Sequence, residues 1–136
     1  MVGVLIVSHS AKVAAGALEL ATQMAGGDLA LAAVGGTADG EIGTDPGAIL
    51  QALQRLLTPE GVIILADLGS AVMSAEAAVE AVEAQDQAVI ANAPLVEGAV
   101  IAALEASLGK TLPEVVAAAE ATGTMVKVER GGVSHG

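Results

Sequence analysis

The chain has 136 residues, 54% of them hydrophobic, no Phe, Trp, Tyr or Cys, and a formal charge of −11 from 16 acidic and 5 basic residues. This length suits one domain with an aliphatic core, and an acidic chain without aromatic stacking platforms argues against nucleic-acid binding. Lack of cysteine removes disulfides, thiolate catalysis and cysteine-ligated metals, and no apolar run reaches the roughly 18 residues of a membrane span.

The first apolar run, Val2–Val7, has no basic stretch before it and enters Ser8-His9-Ser10 rather than a cleavage site. It reads as a first strand, Gly3–Val7, and not a signal peptide, so the expected location is the cytoplasm. A helical pattern over Lys12–Met24 leads to a second strand, Leu29–Val34, diluted by alanine. Asp45-Pro46 then supplies an N-cap and a proline at the first position of a helix over Pro46–Leu57. Val62–Ala66 is a third strand, apolar throughout, as expected when both faces of a parallel sheet are covered. The next helix spans Ala71–Ala84, or begins near Ser70, and is followed by a weaker strand, Ala88–Ala91. Two more helices follow: Val96–Leu108, stopped by Gly109, and Leu112–Ala121, opened by a capping box from Thr111 to Glu114. Met125–Glu129 alternates apolar and charged residues. It reads either as an extra edge strand, antiparallel to the others, or as a segment packing against another subunit. Residues 1–130 form the expected single domain and 131–136 a loose tail.

Strands alternating with helices give a three-layer α/β fold, a doubly wound parallel sheet with right-handed crossovers. Each strand is followed by a polar or glycine-rich cluster: Ser8-His9-Ser10, Gly35-Gly36-Thr37 continuing to Ile42-Gly43-Thr44-Asp45, Asp67-Leu68-Gly69-Ser70, and Asn92-Ala93-Pro94. In a parallel sheet these clusters share the carboxyl edge, where open α/β sheets bind ligands at the point of strand reversal. With strand order 2-1-3-4, His9 and Asp67 lie across one crevice. A carboxylate accepting the Nδ1 proton leaves Nε2 unprotonated, so His9 is the candidate nucleophile and Asp67 its orienter. Backbone N–H groups at Gly69 and Ser70, with the Ser70 hydroxyl, suit phosphoryl oxygens at a helix start, and Ser8, Ser10 and Thr44 stand at the same rim. On the residues alone, His9 also reads as a surface or capping residue and Asp67 as a loop residue or cap. Gly35, Gly36 and Gly43 also read as plain turn glycines, and Thr44-Asp45 as a helix start. The second histidine, His135, lies one residue from the chain end. No metal-ligand spacing, Walker A sequence or GxGxxG is present.

Four of these segments, in this order, carry a family resemblance: Ser8-His9-Ser10 ending strand one, IGTD at Ile42–Asp45, DLGSAVMSAE at Asp67–Glu76 and APLVEGA at Ala93–Ala99. Together they resemble the phosphotransferase subunits of phosphoenolpyruvate-dependent dihydroxyacetone kinase, whose N-terminal domain is similar to mannose-type IIA domains of the sugar phosphotransferase system. The resemblance implies a sheet of order 2-1-3-4 and a homodimer with an extra antiparallel strand. It implies that His9 accepts a phosphoryl group from the phosphohistidine carrier protein. His9 then passes that group to ADP on the kinase nucleotide subunit, with no cofactor or metal in this chain. Some relatives append carrier and enzyme I-like domains; at 136 residues, this chain is expected to use a separate carrier. Leu68-Gly69-Ser70-Ala71 departs from the Gly-Gly-Ser-Pro sequence of sugar-transport members, which favours the dihydroxyacetone branch. A mannose-type sugar-transport component, a phosphorylation-dependent regulatory module and a small-molecule binding domain are the rival readings.

Overall fold

Four strands form one parallel sheet in the order β2-β1-β3-β4, in a computed structural model that describes residues 1–26, 29–83 and 85–130. They are β1 (Gly3–Ser8), β2 (Leu31–Gly35), β3 (Val62–Ala66) and β4 (Ala88–Ile90). Five helices cover them: α1 (Ala11–Ala25), α2 (Pro46–Leu56), α3 (Gly69–Ala81), α4 (Leu95–Ser107) and α5 (Leu112–Ala121), the last followed by a 3₁₀ turn over Thr122–Thr124. The expected order 2-1-3-4 and the three-layer doubly wound arrangement are therefore present.

Side-chain alternation explains the layers. On β1 and β3, Leu5, Val7, Ile64 and Ala66 turn toward α2 and α3 and meet Ile49, Leu53, Ala71 and Ala75. Val4, Ile6, Ile63 and Leu65 turn the other way, against α1, α4 and α5. These central strands are covered on both faces, which is why their sequences are apolar without interruption. Each buried Leu, Ile or Val contributes about 1.5–3 kcal/mol of transfer free energy. With no aromatic side chain available, α1 and α4 meet through small residues, Ala14, Ala17 and Ala21 facing Ala99, Ala102, Ala103 and Ala106. Such a seam lets two helices approach to the near end of the usual 8–10 Å range.

The helix ends follow their local chemistry. Ser10 caps α1 by accepting from the Val13 N–H, and Asp45 caps α2 by accepting from the Ala48 N–H. Thr111 and Glu114 close a reciprocal capping box on α5. The first two positions of α3 are Gly69 and Ser70, so the helix begins slightly before Ser70 and well before Ala71. It ends at Ala81, with Val82 as its cap.

Among the described residues, Met125–Glu129 does not form the expected extra strand, and the sheet ends at β2 and β4. The Thr122–Thr124 turn redirects the chain, and Lys127 Nζ donates to Glu97 at 2.5 Å, at the start of α4. Met125, Val126 and Val128 stay exposed. The tail over residues 131–136 lies outside the described residues.

Two glycines act through space and backbone conformation rather than as plain turns. A Cβ on Gly35, at the end of β2, would lie 2.4 Å from the Ser10 carbonyl oxygen and 2.9 Å from the Ala11 Cα. Gly43 has a φ of +146°, and its N–H donates to the His9 carbonyl at 2.8 Å. Gly35→Ala must push the Ser8–Ala11 turn away from the sheet. We expect a loss of about 1–3 kcal/mol in urea unfolding, the range for overpacking at a tight contact.

Candidate active site

The crevice between β1 and β3 is fixed by the winding. From β1 the chain turns into α1 on one face of the sheet, and from β3 into α3 on the other. The two strand ends therefore separate, leaving an opening at their carboxyl edge. Val7 pairs with Ala66, and the Asp67 N–H donates to the Val7 carbonyl at 3.2 Å, which carries the pairing one residue past the strand. Ser8, His9 and Asp67 meet there as a consequence of register.

The Asp67 carboxylate is an acceptor for four donors. Oδ1 accepts from His9 Nδ1 at 2.8 Å and from the Leu68 N–H at 2.7 Å. Oδ2 accepts from the Ser8 hydroxyl at 2.7 Å and from the His9 N–H at 3.0 Å. Burial works against the carboxylate charge, but the hydrogen bonds from the His9 N–H, the Ser8 hydroxyl, His9 Nδ1 and the Leu68 N–H outweigh it. Asp67 is held below the usual aspartate range. A carboxylate oxygen only accepts, so Nδ1 donates to Oδ1, and in the neutral ring Nε2 then carries the lone pair. That lone pair accepts from the Ser70 hydroxyl. The His9 and Asp67 side chains are 18% and 20% exposed, shielded yet reachable from the surface.

Ser70 occupies the second position of α3, after Gly69. Leu68 offers no side-chain cap, so the Gly69 and Ser70 N–H groups have no partner among the described residues. They stand at the positive end of the helix dipole, on the same helix start whose Ser70 hydroxyl meets Nε2. Such an end favours a nearby anion by about 0.3–1 kcal/mol. No three His, Asp or Glu side chains among the described residues converge as a metal cluster.

The residues expected at the site are distributed as follows. His9, Asp67 and Ser70 form one connected unit, with Gly69 beside them. Ser10 lies next to it, its hydroxyl engaged as the α1 cap. Thr44 is close by, its hydroxyl 3.2 Å from that of Ser74 on α3, which ties the β2–α2 loop to that helix. Ser8 is not a rim contact: it is 1% exposed, donates to Asp67 and accepts from the Ser10 N–H at 3.0 Å. A buried hydroxyl in such a place joins the carboxylate to the turn that carries the histidine. Nothing in the sequence distinguishes it from Ser10 except its position at the last residue of an apolar strand. Ser8→Ala strands one Asp67 lone pair and the part-buried Ser10 N–H, and should cost about 1–3 kcal/mol by chemical denaturation.

An apolar cavity of about 580 Å³ opens at the opposite, amino edge, lined by Val2, Gly61, Val89, Leu112 and Val116 together with Lys110. It lies beyond the reach of His9. No helix among the described residues is long and apolar enough to cross a membrane.

The sequence matches a family described as PTS system fructose IIA component, EIIA-man, over residues 3–116. It is 36% identical over 107 residues to the phosphoryl donor subunit DhaM of PEP-dependent dihydroxyacetone kinase 2 from Listeria innocua, covering 77% of this chain and 86% of that protein. It is also 36% identical over 121 residues to the corresponding subunit from Pantoea ananatis, covering 85% of this chain but only 26% of that longer protein. Among solved structures, a protein of unknown function superposes with a TM-score of 0.78 at 35% identity, covering 89% of this chain and 95% of the other.

Proposed function

The chain belongs to the EIIA-man family of phosphotransferase-system IIA components, and from that premise we propose that it relays a phosphoryl group through His9 in dihydroxyacetone phosphorylation. The donor is the phosphohistidine carrier protein. The acceptor is ADP held on the nucleotide subunit of a dihydroxyacetone kinase, as the relatives' designation as phosphoryl donor subunits suggests. One observation carries the reading: His9 Nδ1 lies 2.8 Å from the Asp67 carboxylate, which turns Nε2 toward Ser70 at the start of α3.

In the first step the Nε2 lone pair attacks the phosphorus of the donor's phosphohistidine. An Nε2–P bond forms as the donor's N–P bond breaks, and the donor imidazole leaves with that electron pair. The Ser70 hydroxyl, which donates to Nε2 at rest, turns toward the PO₃ group beside the Gly69 and Ser70 N–H groups. Ser10 and Thr44 stand around the same space. Asp67 retains the Nδ1 hydrogen bond throughout and stabilises the positive charge that the ring gains on phosphorylation. In the second step a terminal phosphate oxygen of ADP attacks, the Nε2–P bond breaks, and ATP forms on the kinase subunit. Phosphoryl transfer demands mainly alignment and charge stabilisation, and His9, Asp67, Gly69 and Ser70 supply both.

We place this relay in the cytoplasm, where phosphoenolpyruvate and ADP are found, and expect a homodimer, with exposed Met125, Val126 and Val128 as apolar surface for a second copy. The test is delivery. Chain phosphorylated by phosphoenolpyruvate, enzyme I and carrier should convert kinase-bound ADP to ATP with one phosphoryl group per His9. Delivery to a sugar-specific IIB protein and none to ADP would replace this reading with the sugar-transport one.

A further inference from the structure

We propose that Ser74 is a positioning residue for the His9 imidazole: through its bond to Thr44 it sets where the Ser70 hydroxyl stands against Nε2. This inference deepens the relay reading above and takes its catalytic meaning from it. Ser74 lies one helical turn beyond Ser70 on α3, so the two hydroxyls belong to one face of that helix. The Ser70 hydroxyl meets Nε2, and the Ser74 Oγ lies 3.2 Å from the Thr44 Oγ1. Thr44 follows Gly43, whose N–H donates to the His9 carbonyl at 2.8 Å. A closed circuit results. It runs from the His9 carbonyl through Gly43 and Thr44 to Ser74, back one turn along α3 to Ser70, and so to the His9 ring. Backbone and ring of the same histidine are thereby tied to each other, and the Thr44–Ser74 pair is where loop and helix join.

The two halves of the circuit differ in firmness. Thr44 is fixed from both sides, by the Gly43 bond to His9 before it and by Asp45, the cap of α2, after it. The start of α3 has no such hold. Leu68 gives it no side-chain cap, and an uncapped first turn is the part of a helix that loosens most readily. Ala71 and Ala75 are fully buried and keep α3 on the sheet, but a methyl group interlocks little with its neighbours and resists rotation weakly. A small rotation of α3 carries Ser70 across the imidazole, and a misplacement of about 1 Å can cost about 10²-fold in rate. Ser74 makes no hydrogen bond to His9 or Asp67 among the described residues, so its influence passes through Ser70.

The experiment reads the ring first and the reaction second. In ¹⁵N spectra of the full chain labelled at histidine, the His9 signals are those missing from His9→Ala. Ser74→Ala should move the Nε2 resonance downfield, toward that of a nitrogen whose lone pair accepts no hydrogen bond. Thr44→Val should move it equally, and Ser74→Ala/Thr44→Val no further than either alone, as for two residues acting through one bond. Ser74→Thr keeps the hydroxyl and should keep the wild-type resonance. In a Ser70→Ala background, Ser74→Ala should have no effect. With ³²P-phosphorylated carrier, Ser74→Ala should lower the labelling rate at saturating carrier about tenfold, with the half-saturating concentration within about twofold of wild type. Ser74→Thr should restore the rate. Alanine suits a helix, so the melting temperature of Ser74→Ala should fall by no more than about 5 °C. An unmoved Nε2 resonance, or one that Ser74→Ala moves as far when Ser70 is already alanine, overturns the proposal. So does a raised half-saturating concentration at an unchanged saturated rate, which makes Ser74 a contact of the carrier. A rate loss that Ser74→Thr leaves unrestored overturns it as well. If the wild type takes no label while Ser74→Ala still displaces Nε2, the relay reading fails and the hold of Ser74 on the imidazole stands.

Discussion

His9→Ala should yield a folded chain that takes no phosphoryl group from phosphoenolpyruvate, enzyme I and carrier. The fold survives because the ring is not what joins β1 to β3. After its removal, Oδ1 of Asp67 still accepts from the Leu68 N–H, and Oδ2 still accepts from Ser8 and from the backbone N–H of residue 9. Two hydrogen bonds of the ring are lost, one to Asp67 and one to Ser70, each worth about 0.5–1.5 kcal/mol. Chemistry does not survive, because no other described residue offers an unprotonated imidazole, and His135 is the only other histidine in the chain. Acid-labile ³²P incorporation and a thermal melt on the same sample check both halves. Undiminished labelling of the variant would end the assignment.

Asp67→Asn should fold less stably and accept phosphate about 10³–10⁴ times more slowly, the scale on which an orienting carboxylate acts through the histidine tautomer. An asparagine cannot reproduce four acceptor bonds. If its NH₂ group takes the place of Oδ1, it confronts His9 Nδ1 and the Leu68 N–H, which drives the ring proton to Nε2 and removes the nucleophile. If it takes the place of Oδ2, it confronts the His9 N–H and the Ser8 hydroxyl. Either choice leaves a donor facing a donor. The stability defect has a defined pH dependence. Asp67 has a lower pKa folded than unfolded, so its contribution is fully present above the unfolded value, about 3.9, and is lost as pH falls through the folded value. The gap between wild type and Asp67→Asn should be constant near neutrality and narrow below about pH 4. A gap that widens on acidification would mean that the carboxylate is not held in its charged form.

Much of this arrangement was legible before any coordinates. The third strand, Val62–Ala66, and the last helix, Leu112–Ala121, match to the residue, because an uninterrupted aliphatic run and a capping box each leave little choice. The meeting of His9 with Asp67 followed from two strand ends and one strand order. What the pattern of apolar residues does not encode is which polar atoms bond to which. Ser8 and Ser10 flank the histidine symmetrically in sequence, yet one is buried under the carboxylate and the other caps a helix. Gly35 reads as a turn residue until the Ser10 carbonyl is seen above it. Met125–Glu129 has the alternation of a strand, but alternation specifies only two faces. No ladder partner takes it up among the described residues.

The alanine seam between α1 and α4 makes the interior intolerant in one direction only. A methyl group can be trimmed no further except to glycine, whereas any enlargement at Ala17, Ala102 or Ala106 acts as a wedge under α1. That helix begins at the turn holding His9, so a wedge several turns away would tilt the imidazole relative to Asp67. Variation that adds bulk to this buried layer should therefore be read first as a loss of aim, with unfolding as its more extreme form.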